Sequence, residues 1–285
     1  MHIDEHEERL FNVRAAVPDH SEVFRNWRQW SDEYKNQCPA ARLDVAYGAG
    51  VAERFDLFYP ADPGPSPVPA ALLIHGGYWQ AMDKADVAFA ARGFNELGIA
   101  VCAVNHTLCP AITLAGIIAQ VRKACRWIWS NAPALGIDRG HLAIVGHSAG
   151  GHLAAMMMCT DWPSFDPAMP HQPFRGCMAI SGLFDLARLV NTTINERVGL
   201  SSDDATELSP VTRRPQTDGM IVVPVGGDES AGFHEQAIAL RDAWAHFGVE
   251  VDVMSIPKCN HFQVFERLAA LDSPLGVHLK RLVGV

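Results

Sequence analysis

The stretch "LAIVGHSAGGHLA", residues 142–154, decides how this chain folds. A short apolar run ends in Gly146-His147-Ser148-Ala149-Gly150, and small and apolar residues come after it. The run suits a strand buried on both faces, and the residues after it suit a helix. A serine at such a junction sits on a sharp strand-to-helix turn, where the flanking residues must be small so that neighbouring backbone can approach. The new helix aims its free N–H groups and positive dipole end at Ser148. The plainer alternative is a capping serine in a glycine-rich turn. The rest of the chain decides between them.

Working outward, the pattern alternates. On the N-terminal side, "AALLIHGG" (70–77) is a second apolar run ending in glycines, followed by a helical pattern at about 84–97. The strand-like "IAVCAVN" (99–105) comes next, then a helix at about 112–131. On the C-terminal side, strand-like runs occupy 176–182, 219–227 and 249–257, with a helix at about 233–247 and a helical tail. Alternation of this kind predicts a mostly parallel sheet covered on both faces. Two alternating segments, "RLDVAYG" (42–48) and "ERFDLFYP" (53–60), read as an antiparallel pair that makes the sheet mixed. Residues 1–41 form an N-terminal helical segment in which Asp19 precedes a helix and Val23, Trp27 and Trp30 share a face. The polar, turn-rich 190–215 breaks the rhythm and reads as a small cap or insertion at the sheet's C-terminal edge. The Pro/Gly stretch at 60–69 reads as a loop, so 1–285 is expected to be one α/β domain.

Composition narrows the function. The chain has 285 residues, is 48% hydrophobic and carries a formal net charge of −9. No Lys/Arg cluster offers a nucleic-acid surface. No apolar run reaches membrane-span length, and the charged start "MHIDEHEERL" is no secretory signal. The expected location is cytoplasmic. Seven cysteines without a CxxC motif read as buried small hydrophobes. Thirteen histidines show no HExxH or paired metal-ligand spacing, so neither metal nor cofactor is expected. No pattern encodes oligomeric state, and a homodimer is one assembly open to the chain.

In an open parallel sheet, chemistry gathers at the carboxyl ends of the strands. Four places there carry reactive groups. Ser148 is the first. The second is His75-Gly76-Gly77-Tyr78-Trp79, where backbone N–H groups of Gly76, Gly77 or Tyr78, together with that of Ala149, can stabilise a developing oxyanion by about 3 kcal/mol per donor. The third is Asp228 in "VPVGGDES", a carboxylate to orient a histidine, with Glu229 adjacent as its competitor. Asp228 is favoured because it comes first after the strand. The fourth is His261 in "PKCNHFQVF", which comes after both serine and acid at a strand end. Tyr78 and Trp79 are expected to wall a substrate pocket. The chain order Ser148, Asp228, His261 is the nucleophile–acid–base order of the α/β-hydrolase fold.

The motifs "HGGYW", "GHSAGGHLA", "SGLFDL" (181–186), "ELSP" (207–210) and "VGGDES" (225–230) resemble those of the serine-dependent kynurenine formamidases, or arylformamidases, a branch of the α/β-hydrolases. The likeness runs from "FNVRAAVPDH" (11–20) to the region of His261. It implies triad roles for Ser148, Asp228 and His261, an oxyanion hole from the HGGYW backbone, and a small-molecule aromatic amide or ester as substrate. The implied reaction is hydrolysis of an N-formyl aryl amide such as N-formylkynurenine, a step of tryptophan catabolism. A broader carboxylesterase or aryl-acylamidase uses the same machinery and is the alternative; a non-catalytic binding protein on this scaffold would lack a triad member. One departure is Phe11, where the branch is expected to carry a tyrosine.

Overall fold

The computed structural model describes residues 2–64, 67–270 and 273–285. Residues 65 and 66 of the Pro/Gly loop at 60–69 lie outside the described residues. The strands are β1 (Ala41–Ala46), β2 (Arg54–Phe58), β3 (Val68–Ile74), β4 (Ala100–Val104), β5 (Ile137–His147), β6 (Gly176–Ile180), β7 (Met220–Gly226) and β8 (Val251–Ile256). They form an eight-stranded sheet in the order β1-β2-β4-β3-β5-β6-β7-β8. β1 and β2 pair antiparallel, β2 joins β4 antiparallel, and all later pairs are parallel. The mixed, mostly parallel sheet expected from the pattern is the one observed.

β4 and β6 are buried at every residue, as a sheet covered by helices on both faces requires. The chain winds outward from β3 to β4, then returns to place β5 on the other side of β3. Strand order reverses between β3 and β5, and a crevice opens beyond their carboxyl ends at such a point. Gly76–Trp79 come after β3 and Ser148 after β5, so both motifs border that crevice.

The pattern at 84–97 becomes two short helices, Lys84–Val87 and Ala91–Glu96, joined by a 3₁₀ turn over Ala88–Ala90. The Phe89 N–H donates to the Ser31 hydroxyl at 3.1 Å, a tertiary partner that local periodicity does not contain. The helix over His20–Gln37 brings Trp27 against Phe265 and Phe89, with ring centroids 5.0 and 5.5 Å apart. Burying aromatic groups of this size contributes about 1.5–3 kcal/mol each. All seven cysteines are free thiols, five of them buried.

The 190–215 segment uses several of its polar residues on itself. Asn195 Nδ2 donates to the Val190 and Leu200 carbonyls at 2.9 Å, and its Oδ1 accepts the Leu200 N–H. Short helices Asn195–Val198 and Ser202–Glu207 result, the second closed by a capping box between Ser201 and Asp204. The amino-terminal helices Glu5–Phe11 and Val13–Ala16 are laced to this segment. Glu8 accepts the Thr193 N–H and hydroxyl at 2.8 and 2.7 Å, and Glu7 pairs with Arg188 at 3.0 Å. Among the described residues, no helix is long and apolar enough to cross a membrane.

Candidate active site

Ser148 stands between β5 and the helix Ala149–Met158 with φ 56° and ψ −119°. This left-handed conformation costs a non-glycine residue about 1–3 kcal/mol and persists only where the surroundings enforce it. Two close approaches enforce it here. A Cβ on Gly146 would lie 2.0 Å from the Gly150 carbonyl oxygen, and one on Gly150 would lie 2.2 Å from that of Ile74. Only glycine fits at either place, which explains the spacing around the serine. The Ser148 N–H donates to the Ile180 carbonyl at 2.8 Å, fastening the turn to the end of β6. Its side chain caps no N–H of the helix it precedes, so the capping-serine reading does not hold.

His261 is 4% exposed, with its ring between those of Phe233 and His147 at centroid distances of 4.5 and 4.7 Å. His147 donates from Nε2 to the His261 carbonyl at 2.8 Å, which ties the residue before the serine to the histidine. Burial holds His147 well below the usual imidazole pKa, and His261 acts in the same direction. His147 is therefore a neutral scaffold.

The carboxylate facing His261 belongs to Glu229, not Asp228. His261 Nδ1 lies 2.6 Å from Glu229 Oε2. The other oxygen, Oε1, accepts the Ser181 hydroxyl at 2.5 Å and the Gly226 N–H at 2.6 Å. The reason is a turn. Gly227 and Asp228 extend the edge of β7, their N–H groups donating to the carbonyls of Ile256 and Cys259. The chain then folds back, Glu229 N–H donating to the Gly226 carbonyl at 3.1 Å, and carries the longer side chain inward. The Glu229 side chain is 1% exposed, whereas Asp228 is exposed. Ser181, at the end of β6 with φ 46°, is a polar residue that sequence reasoning misses. Its strand-end position is the signal that could find it.

The loop after β3 supplies donors. Among the described residues, no backbone carbonyl accepts the N–H of Gly76, Gly77 or Tyr78. Ala149 opens its helix, and a first-turn N–H has no intrahelical acceptor. A Cβ built on Gly76 would lie 3.3 Å from Ser148 Cβ, so loop and serine are adjacent. His75 Nδ1 lies 2.9 Å from the Gly76 carbonyl, and its Nε2 3.1 Å from Asn105 Oδ1. That bond pins one side of the Gly76–Gly77 peptide and leaves its N–H on the opposite side.

Tyr78 and Trp79 part company. Tyr78 is half-buried, its hydroxyl donates to the Phe11 carbonyl, and burial followed by the Glu229 charge pushes its phenol pKa up. Trp79 is fully buried and stands edge-on to His152 at 5.1 Å. Its expected place in a pocket wall is thus corrected: left-handed φ values of 50° and 57° at Tyr78 and Trp79 turn the indole into the core. Trp79→Ala is accordingly expected to lower unfolding free energy by about 3–5 kcal/mol. It should shift the ratio of formyl to butyryl ester turnover by less than about threefold. Urea titration and an ester panel check the two parts, and a large change in acyl preference would return Trp79 to the pocket.

The amino-terminal segment roofs the site. The Leu10 carbonyl accepts the Ser230 hydroxyl, beside Glu229, and the Phe11 carbonyl accepts that of Tyr78. The Phe11 ring is fully buried edge-on against Phe233 at 5.6 Å. A cavity of about 210 Å³ lies under the segment against Glu229, Phe233 and His261. A larger one, about 410 Å³, lies against Gly77 and Tyr78, and Val13 borders both. Together the groups can supply a nucleophile, a base with its orienting acid, and unpaired donors for an oxyanion.

A family model, BD-FAE, matches residues 55–202, from β2 through the serine turn into the 190–215 segment. The chain belongs to the BD-FAE family. This BD-FAE member is 29% identical to the kynurenine formamidase of Salmo salar, across 85% of this chain and 82% of that one. A crystal structure from Silicibacter sp. tm1040, provisionally designated a thioesterase, superposes with a TM-score of 0.84 at 32% identity, covering 98% of both chains. Esterase B of Lactobacillus rhamnosis gives a TM-score of 0.74 at 18% identity over 99% of this chain and 97% of that one, a likeness of fold. The architecture is that of the α/β-hydrolases, and this BD-FAE member is a hydrolase.

Proposed function

We propose that the protein hydrolyses the N-formyl amide of an aromatic amine, such as N-formylkynurenine, through a formyl-enzyme on Ser148. The observation that carries the mechanism is the Glu229–His261 pair at 2.6 Å, on a histidine tied through His147 to the strained serine. Likeness to the kynurenine formamidases supports the substrate class.

Ser148 Oγ attacks the formyl carbon while His261 Nε2 takes its proton. Glu229 holds the Nδ1 proton, so Nε2 is the basic nitrogen, and it stabilises the imidazolium that forms. Negative charge on the formyl oxygen is met by the N–H groups of Ala149 and of the Gly76–Tyr78 loop. Collapse breaks the C–N bond as His261 returns its proton to the departing aryl nitrogen. Water, deprotonated by the same histidine, attacks the formyl ester and releases formate and free Ser148. The tight packing at Ser148, 2% exposed under its roof, favours the smallest acyl group.

The alternative, a broader carboxylesterase or aryl-acylamidase, is favoured by likeness of fold to esterase B and differs only in acyl room. A panel of formyl, acetyl and butyryl derivatives of one aryl amine and one phenol separates the two. The formamide and formyl ester should lead in kcat/KM by more than the roughly 10–200-fold that one methylene is worth in an apolar pocket. Preference for butyryl esters without formamide turnover would leave the esterase.

A further inference from the structure

We propose that the cavity of about 410 Å³ beside Tyr78 is a subsite for the α-amino-acid end of the substrate, with Arg14 and Arg197 binding its carboxylate and Glu196 its ammonium. The inference rests on the hydrolase reading and specifies its substrate class: an aromatic acyl amide or ester bearing a zwitterionic side chain.

The cavity lies in the size range of small-molecule sites. It is built by three parts of the chain: the amino-terminal segment, the Gly77–Ala81 turn and the helix Asn195–Val198. Gly77 and Tyr78, whose N–H groups are unclaimed by backbone, form part of the lining, which places the cavity beside the loop that adjoins Ser148. Val13 carries the lining across to the cavity that touches His261.

The charges in the cavity lack internal partners. Among the described residues, no hydrogen bond or ion pair engages the side chains of Arg14, Glu196 or Arg197. The acids of the neighbouring helix bond groups other than these arginines. Glu8 accepts from Thr193 and from Asn12 Nδ2 at 2.8 Å, and Glu7 is held by Arg188. Arg14 and Arg197 are both exposed and reach this cavity from different parts of the chain, so two guanidiniums in no ion pair are open to a carboxylate seated there. A guanidinium fork matches a carboxylate in geometry as well as charge. Glu196 in the same lining disfavours a dianion such as a phosphate monoester and suits a cation held beside the carboxylate.

The test compares two formamides with the same ring: N-formylkynurenine, and 2-formamidoacetophenone, which lacks the amino-acid carbons. In wild type the ratio of kcat/KM should favour the zwitterion by about tenfold or more, carried by KM. Arg197→Gln and Arg14→Gln should each reduce that ratio about tenfold, and thermal denaturation verifies that both variants are folded. An unchanged ratio in both folded variants overturns the subsite while leaving formamide hydrolysis standing. A second measurement does not depend on formamide turnover. L-kynurenine should inhibit 4-nitrophenyl acetate hydrolysis competitively, and more strongly than 2-aminoacetophenone. Arg197→Gln should abolish that difference. Glu196→Gln should weaken L-kynurenine without weakening its desamino analogue, 4-(2-aminophenyl)-4-oxobutanoate. Loss of formamide turnover with these inhibition differences intact overturns the formamidase reading alone; equal inhibition by all three compounds in wild type overturns the subsite.

Discussion

Replacing Ser148 with alanine is expected to cut kcat by about a million-fold on formamides and aryl esters alike, the scale set by removal of a triad nucleophile. The variant should fold as the wild type does. Ser148 makes no capping bond to the helix after it, and alanine at φ 56° is as strained as serine. What survives is catalysis by the unpaired N–H groups and by binding, roughly 10³–10⁴ over water. The measurement is kcat alongside near-ultraviolet circular dichroism and a urea midpoint. A folded variant that keeps a tenth of wild-type activity would remove Ser148 from the mechanism.

The second large effect belongs to Glu229. Its Oε1 receives two donors, Ser181 Oγ–H and Gly226 N–H, and Oε2 receives His261 Nδ1–H. In Glu229→Gln the amide oxygen stays with the two donors, which leaves the NH₂ group facing Nδ1. The imidazole then holds its proton on Nε2, where the base lone pair is needed. The wrong tautomer costs about four orders of magnitude in kcat. Asp228→Asn, on an exposed side chain with no described partner, should change kcat by less than about twofold. If Asp228→Asn were the crippling change and Glu229→Gln the silent one, the pairing seen here would not be the one used in turnover.

That contrast shows what the sequence holds and what it does not. Ser148 and His261 emerge from one rule, that reactive groups gather at strand ends, because strand runs and small residues leave a strong local pattern. The choice between two adjacent acids depends on where a turn reverses. Here the chain reverses at the Glu229-to-Gly226 bond, and no periodicity records such a bond. Trp79 fails for a related reason. "HGGYW" marks a turn, but two consecutive left-handed residues determine which aromatic faces the crevice. The sheet is legible because alternation of apolar runs and helical faces repeats along most of the chain. The roof is not, because its bonds to Arg188, Thr193 and Ser230 join residues 181–220 positions apart.

That roof has a consequence for synthesis. Its residues leave the ribosome long before the residues that anchor them: Leu10 waits for Ser230, Glu8 for Thr193, Glu7 for Arg188. Until those anchors have emerged, the amino-terminal helices lack these three ties and have the bond from Tyr78 to Phe11 to hold them. A nascent chain thus carries the Ser148 turn before Glu229 and His261 are made. The candidate site and most of its cover are completed together, late in translation.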